Sequence, residues 1–203
     1  EIYSKHGLSE GPGGPFPLVK EDPAGYVAQA LARGYRLGFV AGSDTHLSRP
    51  GSLQLEHRRG ARYPWSGLTA VYARDLTRVA LFEAIRARRT YATTGARMVV
   101  DFQVNGTCMG GVVPGGAPRR LQARVRGTAR LARVEIIRNN RVWASVEADG
   151  PDWEGEWTDA DGPGSCAGEG MPEDLLFYYL RVTQEDGHMA WSSPVWVEGA
   201  DAG

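Results

Sequence analysis

The second half of this chain is written with a period of two. In "LLFYYLRV", Phe177, Tyr179 and Arg181 alternate with Leu176, Tyr178, Leu180 and Val182, the pattern of a strand with one face on a core. "MVVDFQVNG", "LQARVRG", "ARVEIIRNNRVWASVEA", "EGEWTD" and "HMAWSSPVWVE" are further short, β-rich runs. Asn-Asn, Asp-Gly and Gly-Pro pairs separate them, and such pairs mark tight turns. Residues 98–203 are therefore expected to form a small β-sandwich of about six or seven strands.

Residues 1–97 read differently. "EIYS" is strand-like, and a loop dense in Gly and Pro follows. Asp22 and Pro23 look like the N-cap and first residue of a helix over "AGYVAQALARGY", stopped at Gly34. "RLGFVAG" reads as a short buried strand and "GLTAVYA" as the next. Thr77 caps a second expected helix through Arg88, with Leu81, Phe82 and Ile85 on one face. Strand, helix, strand, loop, strand, helix is an α/β signature. The expected fold class is thus α/β followed by all-β, divided near residue 97.

Net charge is −1, with 23% charged and 42% hydrophobic residues, so nothing draws the whole chain to nucleic acid or an anionic membrane. The basic runs at His57–Arg62 and Arg86–Arg89 read as a solvated loop and a helix end. No apolar run approaches the ~18–20 residues that span a bilayer. The first residue is Glu1 rather than Met, so the chain is expected to be a piece of a longer or processed protein, cytoplasmic or exported. Cys108 and Cys166 lack zinc-site spacing and are read as a disulfide or two free thiols.

The chemistry concentrates in "VAGSDTHLSRPG", where an apolar run delivers Asp44 and His46. In α/β folds, functional residues cluster past the carboxyl ends of strands, and carboxylate plus imidazole suits Zn, Mn or Fe. The plain alternative is that Asp44 caps a turn and His46 lies exposed. "EIYSKHGLSE" adds Glu1, His6, Ser9 and Glu10, which form either half of a shared site or a solvated loop. His57 and His188 read as structural or exposed, and Asn105-Gly106-Thr107 as a turn. The tryptophans of the β half suggest core packing or a polymer-binding surface.

Taken together, "EIYSKHGLSE", "ALARGYRLGFVAGSDTHLSRPG", "GLTAVYARDLTRVALFEAIRARRTYATTG" and "YYLRVTQEDGHMAWSSPVWV" resemble the C-terminal part of the polymerase and histidinol phosphatase (PHP) superfamily. The resemblance implies that residues 1–97 are a partial (β/α)7 barrel and 98–203 an accessory β-sandwich. It implies a phosphoesterase using divalent Zn, Mn or Fe, with metal-bound hydroxide attacking phosphorus. Asp44, His46 and Glu1 would be metal ligands, and His6 would help protonate the leaving oxygen. Glu10, Ser43 and Arg49 would meet a small phosphoester. The departure is that no H-x-H occurs among His6, His46, His57 and His188. The isolated chain is therefore expected to be an inactive or weakly metal-binding fragment that needs a missing N-terminal barrel segment. It is expected to self-associate where that segment is lacking, with no nucleic acid or membrane partner. The non-catalytic alternative is a β-sandwich that binds a partner or packs against the barrel.

Overall fold

The computed structural model describes residues 1–18, 20, 22–46, 65–116, 118–161, 171–172 and 174–198. A short hairpin, β1 (Tyr3–Ser4) and β2 (Gly7–Leu8), precedes a 3-10 turn at Pro23–Gly25 and helix α1 (Val27–Ala32). Strand β3 (Leu68–Val71), helix α2 (Arg78–Arg86) and strand β4 (Thr90–Thr93) follow. The remainder is β: β5 (Val99–Val104), β6 (Thr107–Cys108), β7 (Val112–Val113), β8 (Arg119–Arg126) and β9 (Leu131–Arg138). It closes with β10 (Arg141–Val146), β11 (Asp152–Asp159), β12 (Leu176–Gln184), β13 (Met189–Ser192) and β14 (Val195–Val197).

Local chemistry explains the joints. Asn105 and Gly106, at φ +48° and +75°, close β5 onto β6, and Asn139 and Asn140, at +47° and +62°, close β9 onto β10. Asn and Gly tolerate that left-handed backbone. The Asp22 carboxylate caps the 3-10 turn by accepting from the Ala24 N–H at 3.0 Å, and the Thr77 hydroxyl caps α2 through the Ala80 N–H at 3.2 Å.

A large sheet runs β10-β9-β12-β13-β4-β3, with β14 paired to β12 and β7 to β14; a smaller sheet runs β11-β8-β5-β6. The two sheets face each other across a core that includes Val100, Phe102, Leu121, Val125, Val134, Ile136, Tyr178 and Leu180. The other face of the large sheet is also covered. Phe177, Tyr179, Trp191 and Trp196 pack there beneath Ile2, Tyr3, Leu8, Leu31, Phe39 and Ala41. The molecule therefore has three layers, and β12 is buried on both faces rather than one. The large sheet draws strands from both sides of residue 97.

The expected (β/α)7 barrel segment is not what forms. A barrel of that kind needs parallel strands joined by crossover helices. Here β3 and β4 pair antiparallel, so α2 is an insertion in a hairpin and not a crossover. Among the described residues the parallel pairings are the β14–β7 ladder and one bridge between Tyr3 and Ala41. The fold is mostly β, and only its sandwich part matches the expectation. Trp191 and Trp196 are buried in the core, and Trp65, Trp143, Trp153 and Trp157 are half-buried.

One polar cluster pins the end of the sandwich. Asp159, 1% exposed, accepts from the Tyr178 hydroxyl, from Arg138 Nη1 at 2.7 Å and from the Asp161 N–H at 3.0 Å. Fully buried Arg119 lies 3.5 Å from the same carboxylate. Burial alone would raise the Asp159 pKa, but the hydrogen bonds from Tyr178 and Arg138 outweigh it and hold the carboxyl below its ordinary value. A depressed carboxyl contributes stability above its unfolded pKa, near ~4, and that stability is lost as pH falls through the folded value. Asp159→Asn should therefore lose about 3–5 kcal/mol at pH 7, because Arg119 stays buried beside a neutral group. Urea midpoints from pH 7 to 3 should fall for the wild type and stay flatter for the variant; equal slopes would remove Asp159 from this account.

Candidate metal centre

The N-terminal layer is held by an unusual set of bonds. "RLGFVAG" does not form the expected strand ladder. The Phe39 N–H donates to the Ser193 hydroxyl at 2.8 Å, and the Thr90 hydroxyl donates to the Phe39 carbonyl at 2.8 Å. The Thr69 hydroxyl accepts from the Ala41 N–H at 2.9 Å and donates to the Ala41 carbonyl at 2.7 Å. Side-chain hydroxyls thus take the places that strand backbone would fill, and the segment lies across the face of the large sheet.

Backbone contact with β1 aligns this segment in parallel. The Ile2 N–H donates to the Val40 carbonyl at 2.8 Å, and the Gly42 N–H to the Tyr3 carbonyl at 3.1 Å. Gly67 lets β3 begin against both: a Cβ there would stand 2.6 Å from the Ala41 Cβ and 2.8 Å from the Tyr3 carbonyl oxygen. Two parallel segments therefore end side by side. One turns at Lys5–His6, and the other continues into Ser43–His46.

His6, Asp44 and His46 meet at that end. His46 Nε2 lies 2.7 Å from Asp44 Oδ1, and His6 Nε2 lies 3.2 Å from Asp44 Oδ2. The imidazole centroids are 5.4 Å apart. Among the described residues this trio alone brings three metal-capable ligand atoms within 4.8 Å of one another. Donor atoms around a tetrahedral Zn lie about 3.4 Å apart, as Zn–N and Zn–O lengths require. The His6 spacing already matches, and the His46 pair needs to open by less than 1 Å, roughly. Asp44 and His46 also adopt left-handed backbone, at φ +47° and +56°. Strain of this kind collects at functional sites.

Glu1 lies beside Gly42, close enough to Asp44 to feel its charge, but is not one of the trio. Its Oε1 lies 2.7 Å from where a Cβ on Gly42 would sit, so glycine there leaves the carboxylate its place. Desolvation raises the Glu1 pKa, and the Asp44 charge adds to the rise. Ser43 is half-buried and outside the trio. Arg49, His57 and Cys166 lie outside the described residues. Glu10 is not at the site. It is 8% exposed and accepts from Tyr179 Oη at 2.7 Å, Trp191 Nε1 at 3.0 Å and Arg181 Nη1 at 3.1 Å. Burial opposes the charge on Arg181, but its bonds to Glu135 and Glu10 raise its pKa nonetheless. His188 serves the fold: its Nδ1 is 2.9 Å from the Thr94 hydroxyl, which accepts from the Met189 N–H, and Trp65 packs on its ring. One residue was missed in the sequence. Lys5, beside His6, is 8% exposed and makes no ion pair among the described residues. Nothing in its local pattern distinguishes a lysine whose stem is buried from one in solvent.

Comparison with known proteins adds context without a function. The profile of a family described as "Protein of unknown function (DUF3604)" matches residues 49–109. That span holds β3, α2, β4, β5 and β6 but none of the trio. An uncharacterized protein of Chlamydia trachomatis is 39% identical over 98% of this chain, which is 34% of its own length. One from Chlamydia muridarum is also 39% identical, with the same shares covered. The chain thus spans about a third of the length of these curated relatives. A solved engineered protein aligns at 17% identity with a TM-score of 0.29, over 50% of this chain and 20% of its own, too distant to carry any argument. No helix among the described residues is long and apolar enough to cross a membrane.

Proposed function

We propose that this chain supplies part of the metal site of a divalent-metal-dependent hydrolase, with phosphoesters as the substrate class. The observation that supports the reading is the convergence of His6, Asp44 and His46 past the ends of two parallel segments. Two imidazoles and a carboxylate suit Zn, Mn or Fe, and Glu1, close enough to feel the Asp44 charge, is offered as a fourth oxygen donor. A bound ion would supply Lewis-acid charge and lower the pKa of a coordinated water. The chain's own residues fix the geometry. Each Asp44 oxygen faces one imidazole nitrogen, so all three donors point at a common position, and the left-handed turn holds His46 toward it. His6 serves as a ligand rather than as a proton donor, since its Nε2 already faces Asp44. The phosphoester class itself follows from the PHP resemblance and not from the site.

Calorimetric titration of the purified chain with Zn2+ or Mn2+ tests the metal centre. A saturable heat is expected for the wild type and not for His46→Ala or His6→Ala. Hydrolysis of bis-p-nitrophenyl phosphate by the complete gene product should fall with the same substitutions. Titration curves that are unchanged by both substitutions would sink the proposal.

A further inference from the structure

Helix α2 carries its apolar stripe on the wrong side. Leu76, Val79, Phe82 and Ile85 recur every three residues and are 93%, 67%, 65% and 53% exposed. Ala84 is the one residue of α2 that is buried. Leu76 occupies the position before the N-cap, where an apolar residue ordinarily staples onto the helix, yet it projects into solvent. A nine-residue helix is too short to persist on propensity alone and relies on packing. Among the described residues, α2 rests on the sheet by a narrow edge and nothing covers its wide apolar face.

We infer that this face is the seat of another segment of the same polypeptide, one outside these 203 residues. Two arguments favour a covering segment in cis over a second copy. First, the relatives extend well beyond the matched region, which is 34% of their length, so a protein of that size has ample chain to cover the helix. Second, the stripe offers on the order of 500 Å² of apolar surface, the size of a large patch on a monomer and below the ~800 Å² per partner of a stable dimer. A tethered segment needs far less area, since its effective concentration is in the millimolar range. The rim sets its chemistry. Arg74, Arg78, Arg86 and Arg89 flank the stripe against Asp75 and Glu83, and all are exposed. The covering segment should therefore present an apolar face edged with carboxylates. The seat lies at the Val71–Thr90 end of the β3–β4 hairpin, away from the Leu68–Thr93 end that adjoins the metal centre. It is independent of the metal reading.

Photo-crosslinking in the complete gene product tests this. Phe82 is replaced by p-benzoylphenylalanine, a change its exposure tolerates, and the irradiated protein is separated on a denaturing gel and mapped by mass spectrometry. The expected product has the mass of one polypeptide and joins position 82 to a peptide outside the 203 residues. A product of doubled mass would assign the face to a second copy and overturn the inference. So would a crosslink to a foreign protein, a crosslink confined to these residues, or none at all.

Discussion

Glu10→Ala is expected to lower stability by about 3–5 kcal/mol, enough to unfold many domains of this size. The carboxylate is the shared acceptor of Tyr179, Trp191 and Arg181 on the covered face of the large sheet. Tyr179 and Trp191 are 2% and 0% exposed, so each donor left unpaired bears its full desolvation penalty, about 1–3 kcal/mol. Arg181 keeps Glu135, at 2.8 Å, and so is not stranded. Glu10→Gln, which retains one acceptor oxygen, should fall between wild type and alanine. Chemical denaturation followed by tryptophan fluorescence reads all three. A residue that served a substrate would show unchanged midpoints, and that result would return Glu10 to the site.

Asp44→Gly should behave in the opposite way: metal affinity falls at least ~100-fold, as expected when one of three ligands is lost, while stability holds or rises. Asp44 sits at φ +47°, a region disfavoured for residues with a Cβ by roughly 1–2 kcal/mol and free to glycine. Asp44→Ala should lose the metal equally and also lose some stability, since it keeps the strain without a polar side chain to ease it. Paired calorimetry, thermal and by titration, separates the two effects. If Asp44→Gly melted well below the wild type, the turn would be held by the carboxylate for the sake of the fold.

Local periodicity revealed the strands of the second half, because period-two burial is imprinted residue by residue. It could not reveal how many faces are covered. Arg181 in β12 suggested a solvent face, yet its partners Glu10 and Glu135 lie far away in sequence and allow it to be enclosed. Strand direction is equally silent: "GLTAVYA" and "RRTYATTG" look the same whether they pair parallel or antiparallel, and the barrel expectation failed at that choice. On α2 the apolar spacing was visible, but it was small Ala84 that turned inward while Phe82 and Ile85 turned out. Asp44 and His46 could be singled out because they are neighbours in sequence. Their approach to His6 depends on the parallel bridge between Tyr3 and Ala41, a contact with no local signature.

The hydroxyls of Thr69, Thr90 and Ser193 have a bearing on how this architecture could be found elsewhere. They hold residues 39–41 on the sheet and thereby set where Asp44 emerges. Scored for hydrophobicity, each is a polar blemish on a surface that ought to be apolar. A distant chain that keeps three hydroxyls at these stations, and drifts freely at its apolar positions, would still present its Asp-x-His in the same place. Polar constancy beneath the layer would be a better guide to shared chemistry than likeness of the core.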